Sequence, residues 1–489
     1  GAEITMVKQR TDKELWTPFL RQMFVVTGIV CYMTGTGANI AFPGVLLQQL
    51  REPDTAITLT GEHESWIASV LGLALMTGIA VSPFFLERLG RKMTNQLSTL
   101  PSLIGWALLM IAKTPEMLLI SRFLQGLGMG LQASAAPVSI AEYSSPLHRG
   151  AFLATIAFSF SLGMLVAHLF GTLLYWRTAA LACGSCYAIS LIIVSLSPET
   201  PSWLAAHGYY EKCKKSFQWL RGDDKHSLEE LDKLILSQKN KRKSDLANNT
   251  SKITFLFEVI KKKEFYKPTL IMVFMFTMFQ VSGMTVIPSY TVPIMKVVTG
   301  GKIDGHTAML IVDLVRFVTA ILSCIIVNKF KRRTVLFFGS IITVFSLLLT
   351  ALLMYLRDLD CFSEKYAWIP VIPTLVYMIG KTIGILAIPW AVAGEIFPLA
   401  YRSIGSGISG MVLSLLLFVV VKTAPKSFLV IGVNGTFCVY AVAVAICTVF
   451  LYFLLPETKG KTLQEIELFF KGDEVEIEKL ENGKMLEVK

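Results

Sequence analysis

Two glutamates stand at the same distance from an arginine in separate parts of the chain: Glu142 precedes Arg149 by seven residues, and Glu395 precedes Arg402 by seven. Two more occupy a repeated tripeptide, Pro198-Glu199-Thr200 and Pro456-Glu457-Thr458. Two basic turns complete the set, Glu87-Arg88-Leu89-Gly90-Arg91-Lys92 and Asn328-Lys329-Phe330-Lys331-Arg332-Arg333. The chemistry on offer is electrostatic. Exposed carboxylate–guanidinium pairs contribute at most about 1 kcal/mol each, so a set of them biases a two-state equilibrium without freezing it. Covalent chemistry has no support, because no nucleophile stands with a base and there is no phosphate loop or metal-ligand cluster. The eight cysteines are scattered, most of them inside apolar runs (Cys31, Cys324, Cys447), and imply no disulfide framework. Cys183 and Cys186 have a redox-like spacing but read as two small residues on one helix face. No catalytic residue, metal or cofactor is expected.

The elements that carry these residues follow from composition. Of 489 residues, 53% are hydrophobic and 17% charged, with a mean hydropathy of +0.57. Average soluble domains carry about 25% charged residues, which excludes a soluble enzyme, a nucleic-acid binder and a secreted disulfide scaffold. The net charge of +11 is no nucleic-acid footprint, since the basic residues sit in links between apolar runs. Twelve such runs lie near 21–42, 65–86, 93–112, 117–140, 150–174, 178–197, 268–291, 306–328, 334–356, 367–393, 404–422 and 430–455. Each is long enough for a hydrocarbon core of about 30 Å at 1.5 Å per residue. Residues 1–20 mix Lys8, Arg10, Asp12, Lys13 and Glu14 with few apolar residues, so no secretory signal is read there and the first run is a retained span.

Charge orients the spans. Arg88, Arg91, Lys92, Arg149, Lys329, Lys331, Arg332, Arg333 and Arg402 fall in links on one side. The longest link, on that same side, holds Lys239, Lys241, Arg242, Lys243, Lys261, Lys262 and Lys263, while the first opposite link holds Glu52, Asp54, Glu62 and Glu64. The positive-inside rule then puts both termini in the cytoplasm, and the glycosylation matches at Asn248 and Asn249 face the cytosol. The expected organisation is a cytoplasmic segment 1–20, a six-helix bundle 21–197, a cytoplasmic helical linker 198–267, a second bundle 268–455 and a cytoplasmic tail 456–489. Within the linker, Leu231, Leu234 and Ile235 form an apolar stripe beside Glu229 and Glu230, and 239–251 reads as a flexible loop. Three duplicated charge elements in the same order make the halves repeats of one another. The fold class is all-α integral membrane, twelve transmembrane helices in two pseudo-symmetric six-helix bundles, with a site at the midplane between them.

The same residues carry a family resemblance. Gly90-Arg91-Lys92, Arg122-Phe123-Leu124-Gln125-Gly126, Pro137 through Glu142 to Arg149-Gly150, Pro198-Glu199-Thr200-Pro201, Pro389-Trp390 through Glu395, and Pro456-Glu457-Thr458-Lys459-Gly460 span nearly the whole chain. The chain resembles the sugar porter branch of the major facilitator superfamily, nearest in flavour to insect facilitated trehalose and hexose transporters. That resemblance implies alternating access, with a gating network of Arg88, Arg91, Glu142, Arg149, Glu199, Arg332, Arg333, Glu395, Arg402 and Glu457 that knits helix ends in one state and parts in the other. Lys331 stands where the family has glycine.

The resemblance also implies a substrate site of amides and a tryptophan, drawn from Gln280, Ser282, Thr285, Arg316, Thr382 and Trp390. Several partners depart from the family pattern. Phe279 replaces a glutamine, Thr285 an asparagine, Ala157 a glutamine, Thr382 a glutamate and Arg316 an asparagine. Each lost hydrogen bond forfeits roughly 0.5–1.5 kcal/mol. An arginine near mid-bilayer costs about 2.5–3.5 kcal/mol on insertion scales and faces a cavity or a partner. Asp313, three residues earlier, is close enough to pair with Arg316; the other reading is an anion-attracting cavity helped by Lys381. Lys422 sits near a helix end and snorkels. Met33 stands where proton-coupled relatives carry aspartate, which favours facilitated diffusion.

The expected function is facilitative transport of a small polar solute, a sugar such as trehalose or a hexose, by a monomeric unit in the lipid bilayer of the plasma membrane, with no nucleic-acid partner. The alternatives are a relative retuned to an organic anion or other non-sugar solute, and a non-transporting solute receptor.

Overall fold

The computed structural model describes residues 12–52, 57–223, 225–247, 261–361, 363–398, 402–459, 461 and 463–471. In the first half, α1 (Asp12–Leu50), α2 (Gly61–Arg88), α3 (Gly90–Ile111), α4 (Pro115–Tyr143), α5 (Pro146–Leu173) and α6 (Trp176–Leu196) are the long helices. Three shorter ones follow, α7 (Pro201–Ala206), α8 (Tyr210–Arg221) and α9 (Lys225–Ala247). The second half comprises α10 (Lys263–Val281), α11 (Val286–Val298), α12 (Gly305–Lys329), α13 (Arg332–Asp358), α14 (Val371–Gly380), a π-helical turn (Lys381–Leu386), α15 (Ala387–Glu395), α16 (Arg402–Val430), α17 (Gly432–Leu454) and α18 (Leu463–Lys471).

Local chemistry starts these helices where the sequence places caps. The Thr60 side chain accepts from the His63 N–H ahead of Glu62 and Glu64 in the first turn of α2, and Asp304 accepts from His306 and Thr307 at the start of α12, each satisfying orphan N–H groups and opposing the helix dipole. Among the described residues, ten helical spans are long and apolar enough to cross a membrane, α10 with α11 forming one and α14 through the π turn to α15 another. Helices α3 and α4 fall outside that set because they share a polar seam. Ser98 donates to Gln132 Oε1 at 2.6 Å, Gln132 to Asn95 Oδ1 at 2.7 Å, and Asn95 to Ser139 Oγ at 2.9 Å. Interhelical hydrogen bonds of this kind hold spans together where no hydrophobic driving force acts between helices.

Three elements differ from expectation. The run near 268–291 is a helix broken at 282–285, where Ser282 ends α10, Gly283 takes φ +76 and Thr285 precedes α11. The run near 367–393 carries the π-helical turn in its middle. The expected loop 239–251 is helical as far as Ala247, because α9 continues past its apolar stripe; Asn248, Asn249, residues 1–11 and the tail beyond 471 lie outside the described residues. The stripe itself is as expected. Leu231 is buried with Leu204, Cys213 and Phe217, and Leu234 and Ile235 pack against that cluster.

In the first half α1 packs on α5 and α6, and α4 on α2 and α3; in the second, α13 packs on α14 and α17, and α10 on α16 and α17. The halves meet through α2 with α16, α5 with α12 and α1 with α11. One end of the molecule carries the basic turns; the other is called the far end below. Ser65 donates to the Lys422 carbonyl at 3.1 Å and Ser289 to the Ile40 carbonyl at 3.3 Å. Ser65, Lys422 and Ile40 lie in the far half of their helices, and Ser289 in α11, the segment that runs from the helix break to the far end. The far end is closed.

Candidate functional site

At the broken helix, the Gln280 side chain bridges elements. Its Nε2 donates to the Leu413 carbonyl of α16 at 3.3 Å, and its Oε1 accepts from Thr285 Oγ1 at 2.9 Å. The Ser282 carbonyl accepts from the Tyr377 hydroxyl of α14, and Lys381 Nζ, in the π turn, donates to that hydroxyl at 3.0 Å. Gly283 is required here, since its φ is left-handed and a Cβ would lie 3.0 Å from the Tyr377 oxygen. Discontinuous helices and π turns of this kind recur where membrane carriers bind solute. Thr382 is buried with its hydroxyl unpartnered. Trp390 is 48% exposed; its ring lies 5.4 Å from Phe276 and edge-on, 6.3 Å, to Phe279. The phenylalanine standing in place of the expected glutamine therefore packs on the tryptophan.

Arg316 is fully buried and pairs with Asp313, Nη1 to Oδ1, at 2.9 Å. The same nitrogen reaches Met164 Sδ of α5 at 2.9 Å, while Nε and Nη2 have no partner. The second Asp313 oxygen is taken by His168 Nδ1 from α5. His168 Nε2 lies 3.1 Å from the Ala41 carbonyl of α1 and 3.1 Å from the Pro288 carbonyl of α11. Sequence reasoning passed over His168. Its signal was an ionisable side chain alone in an apolar span, which marks function by default. Arg122, quoted only as part of a motif, is likewise buried, on Asn39, Gln125 and the Ile67 carbonyl.

At the basic-turn end the repeat becomes geometric. Arg91 pairs with Glu142 at 2.6 Å and Arg332 with Glu395 at 3.1 Å. Arg91 also donates to the Leu86 carbonyl, and Arg332 to that of Val327. Glu199 accepts from the backbone N–H groups of Arg91 (3.0 Å) and Lys92 (3.0 Å), and Glu457 from those of Arg332 (2.9 Å) and Arg333 (3.1 Å). Both carboxylates thus cap a helix N-terminus. Burial pushes the Glu199 carboxyl up from its ordinary value, against the pull of the Thr200, Lys92 and Arg91 N–H groups. Gly90 has φ +88 and lies against Glu199, where a Cβ would meet Oε2 at 2.3 Å. The second half solves the turn differently, with Lys331 in extended conformation (φ −66, ψ 140).

The Arg91–Glu142 and Arg332–Glu395 pairs each lie within one half. Arg149 is exposed beside a cavity of about 470 Å³ that Glu142, Arg221, Glu230 and Lys233 also line. Arg402 keeps Nε and Nη2 without partners, and burial lowers its proton affinity. Arg88 lies over the Phe84 ring at 4.5 Å, and Arg333 donates to the Tyr452 carbonyl at 2.8 Å. Lys422 sits over the Trp66 ring at 4.2 Å. No metal-binding group of His, Cys, Asp and Glu occurs among the described residues.

Repeated halves of membrane-length helices, closed against each other at one end and carrying at the other a matching ion pair within each half, define a two-bundle membrane carrier. The chain belongs to the Sugar (and other) transporter family, whose model matches residues 20–470. It is 31% identical over 439 residues to the facilitated trehalose transporter Tret1 of Apis mellifera ligustica, covering 89% of this chain and 85% of that one. To Tret1 of Bombyx mori it is 28% identical over 466 residues, covering 95% and 89%. Among solved structures, the proton:xylose symporter XylE bound to 6-bromo-6-deoxy-D-glucose matches with a TM-score of 0.71 at 19% identity, covering 93% of this chain and 99% of that one. The inward-open xylose transporter XylE from E. coli matches with a TM-score of 0.71 at 17% identity, covering 92% and 99%. The fold is that of the major facilitator superfamily.

Proposed function

We propose that the protein is a facilitative carrier of a sugar, trehalose or a hexose, working by alternating access in the plasma membrane as a monomeric unit with both termini cytoplasmic. The observation that carries the reading is the helix break at 282–285. There Gln280 and Thr285 present an amide and a hydroxyl beside the Tyr377–Lys381 turn, on a scaffold whose relatives include trehalose transporters. In this reading Gln280, Ser282, Thr285, Thr382 and Trp390 contact solute. The moving bodies are the bundles 21–197 and 268–455, flanked by 1–20 and 456–489 and joined by the linker 198–267. Basic residues crowd the end assigned to the cytoplasm, which supports the orientation. The gating network divides its labour. Arg91, Glu142, Glu199, Arg332, Arg333, Glu395 and Glu457, with Arg88 at the first turn, hold helix ends together within a half, and Arg149 and Arg402 are the groups free to engage the opposite half when the basic-turn end closes. Uptake of labelled trehalose and glucose into proteoliposomes tests the reading. Saturable flux without a proton gradient is expected, and binding without flux would leave a receptor instead.

One observation favours a second reading. Arg316 has two unpartnered nitrogens on a helix against which the Lys381 turn packs, a guanidinium with donors left for an anion. Competition by carboxylates rather than sugars distinguishes it.

A further inference from the structure

The contact that closes the far end contains a histidine to which the reading of the solute site gives no role. His168, Asp313, Ala41 and Pro288 lie five to ten residues from the far ends of α5, α12, α1 and α11, about 8–15 Å deep at 1.5 Å per residue. Both His168 and Asp313 are fully buried. Each ring nitrogen meets an acceptor: Nδ1 faces Asp313 Oδ2, and Nε2 faces the carbonyls of Ala41 and Pro288 at 3.1 Å each. A carbonyl has no proton to give. A neutral imidazole has one N–H and one lone pair, so whichever nitrogen holds its proton, the other aims a lone pair at an oxygen lone pair. Satisfying both contacts takes one proton more than a neutral imidazole beside a carboxylate contains. The count is the same whether that proton is drawn on Nδ1 or on the Asp313 carboxyl.

Among the described residues, the ring nitrogens meet only acceptors. From α1 and α11 carbonyl oxygens face it. From α12 come Asp313 and, on the other Asp313 oxygen, Arg316. Lys381 of the π turn is near enough to act on Asp313 and donates its hydrogen bond to the Tyr377 hydroxyl. Ala41 and His168 belong to one half, Pro288 and Asp313 to the other. Parting the halves returns Nδ1 to water and leaves Nε2 with Ala41, an arrangement that a neutral imidazole satisfies.

We propose that closure of the far end captures one proton in the His168–Asp313 contact and that reopening releases it, so that pH sets the balance between the two conformations. The proposal uses alternating access but no property of the solute, and it is tested without solute. Spin labels at Tyr175→Cys and Leu359→Cys, both exposed at far helix ends, report the distance across that end in the full-length protein in lipid nanodiscs, with the exposed Cys361 and Cys438 replaced by serine. Between about pH 5.5 and 8.5, where histidine switches operate, the ratio of closed to open distances should rise as pH falls, by up to about tenfold per unit for one linked proton. His168→Gln keeps a donor and an acceptor but cannot titrate, and its ratio should be flat; His168→Asn serves if the glutamine variant does not fold. A wild-type ratio constant across the range, or a slope retained in the folded variant, overturns the proposal. Absence of sugar uptake would overturn the transport reading and leave this result standing.

Discussion

Asp313 meets two partners with its two oxygens, Arg316 and His168, and this changes what single substitutions do. Arg316→Asn leaves the carboxylate paired with His168, so the variant is expected to fold, with a melting temperature close to wild type in detergent. Asp313→Asn removes the counter-charge of a buried guanidinium, and breaking a buried pair from one side costs about 3–5 kcal/mol; a drop in melting temperature and poor expression should follow. If Arg316→Asn unfolds the protein and Asp313→Asn does not, the pairing is misassigned. The pair itself was legible from its three-residue spacing on one helix. The third member was not, because His168 is 145 residues away from Asp313 and a hydropathy pattern carries no information about which helices touch. Gln280 offers a milder test. If it contacts sugar, Gln280→Ala removes a hydrogen bond worth about 0.5–1.5 kcal/mol and should raise the KM for uptake by roughly 2- to 12-fold, with kcat little changed.

At the scale of elements, the helices themselves were written in apolar runs and caps, but their interruptions were not. A run of some twenty apolar residues predicts a continuous span, and 268–291 satisfies that pattern although Ser282 to Thr285 interrupts the helix. The only local sign was Gly283, which a membrane helix tolerates in many settings. The π turn at Lys381–Leu386 was no more legible, since Lys381 and Thr382 mark a polar spot in the span but not a change of helix type. Gly283→Ala is therefore a sharp test of the break. The left-handed conformation costs a non-glycine residue roughly 1–2 kcal/mol, and the new methyl crowds the Tyr377 oxygen. Thermal stability should fall by about that amount, and sugar uptake should fall with it. Unchanged uptake would mean that the geometry of this turn does not position the site.

For the whole molecule, the closed far end and the lack, among the described residues, of an ion pair to Arg149 or Arg402 describe one side of a cycle. Neither arginine holds this conformation together, so Arg149→Ala and Arg402→Ala should leave it intact and weaken only the state in which the basic-turn end closes. With exposed pairs worth at most about 1 kcal/mol, the shift is up to roughly fivefold toward the conformation described here. Labelling of engineered cysteines from the basic-turn side should increase in both variants. Equal labelling would reduce these residues to topology signals. The orientation has its own test. Protease added outside right-side-out vesicles should spare the linker 205–265, and cleavage there would invert the assignment.

The carboxylates Glu199 and Glu457 grip backbone N–H groups, whereas Glu142 and Glu395 grip guanidinium side chains. The two kinds of contact leave different freedom to mutate. A side-chain pair can be exchanged, since reversing both partners restores it in principle: a harmful Glu142→Arg has a compensating Arg91→Glu. A backbone N–H has no such counterpart, because every residue except proline presents the same donor. Substitutions at Lys92 or Arg333 should therefore pass almost unnoticed by the glutamate opposite, and loss of that glutamate admits no second-site repair at those positions. A suppressor screen started from Glu199→Lys should come back empty at 91 and 92, while one started from Glu142→Arg should return Arg91.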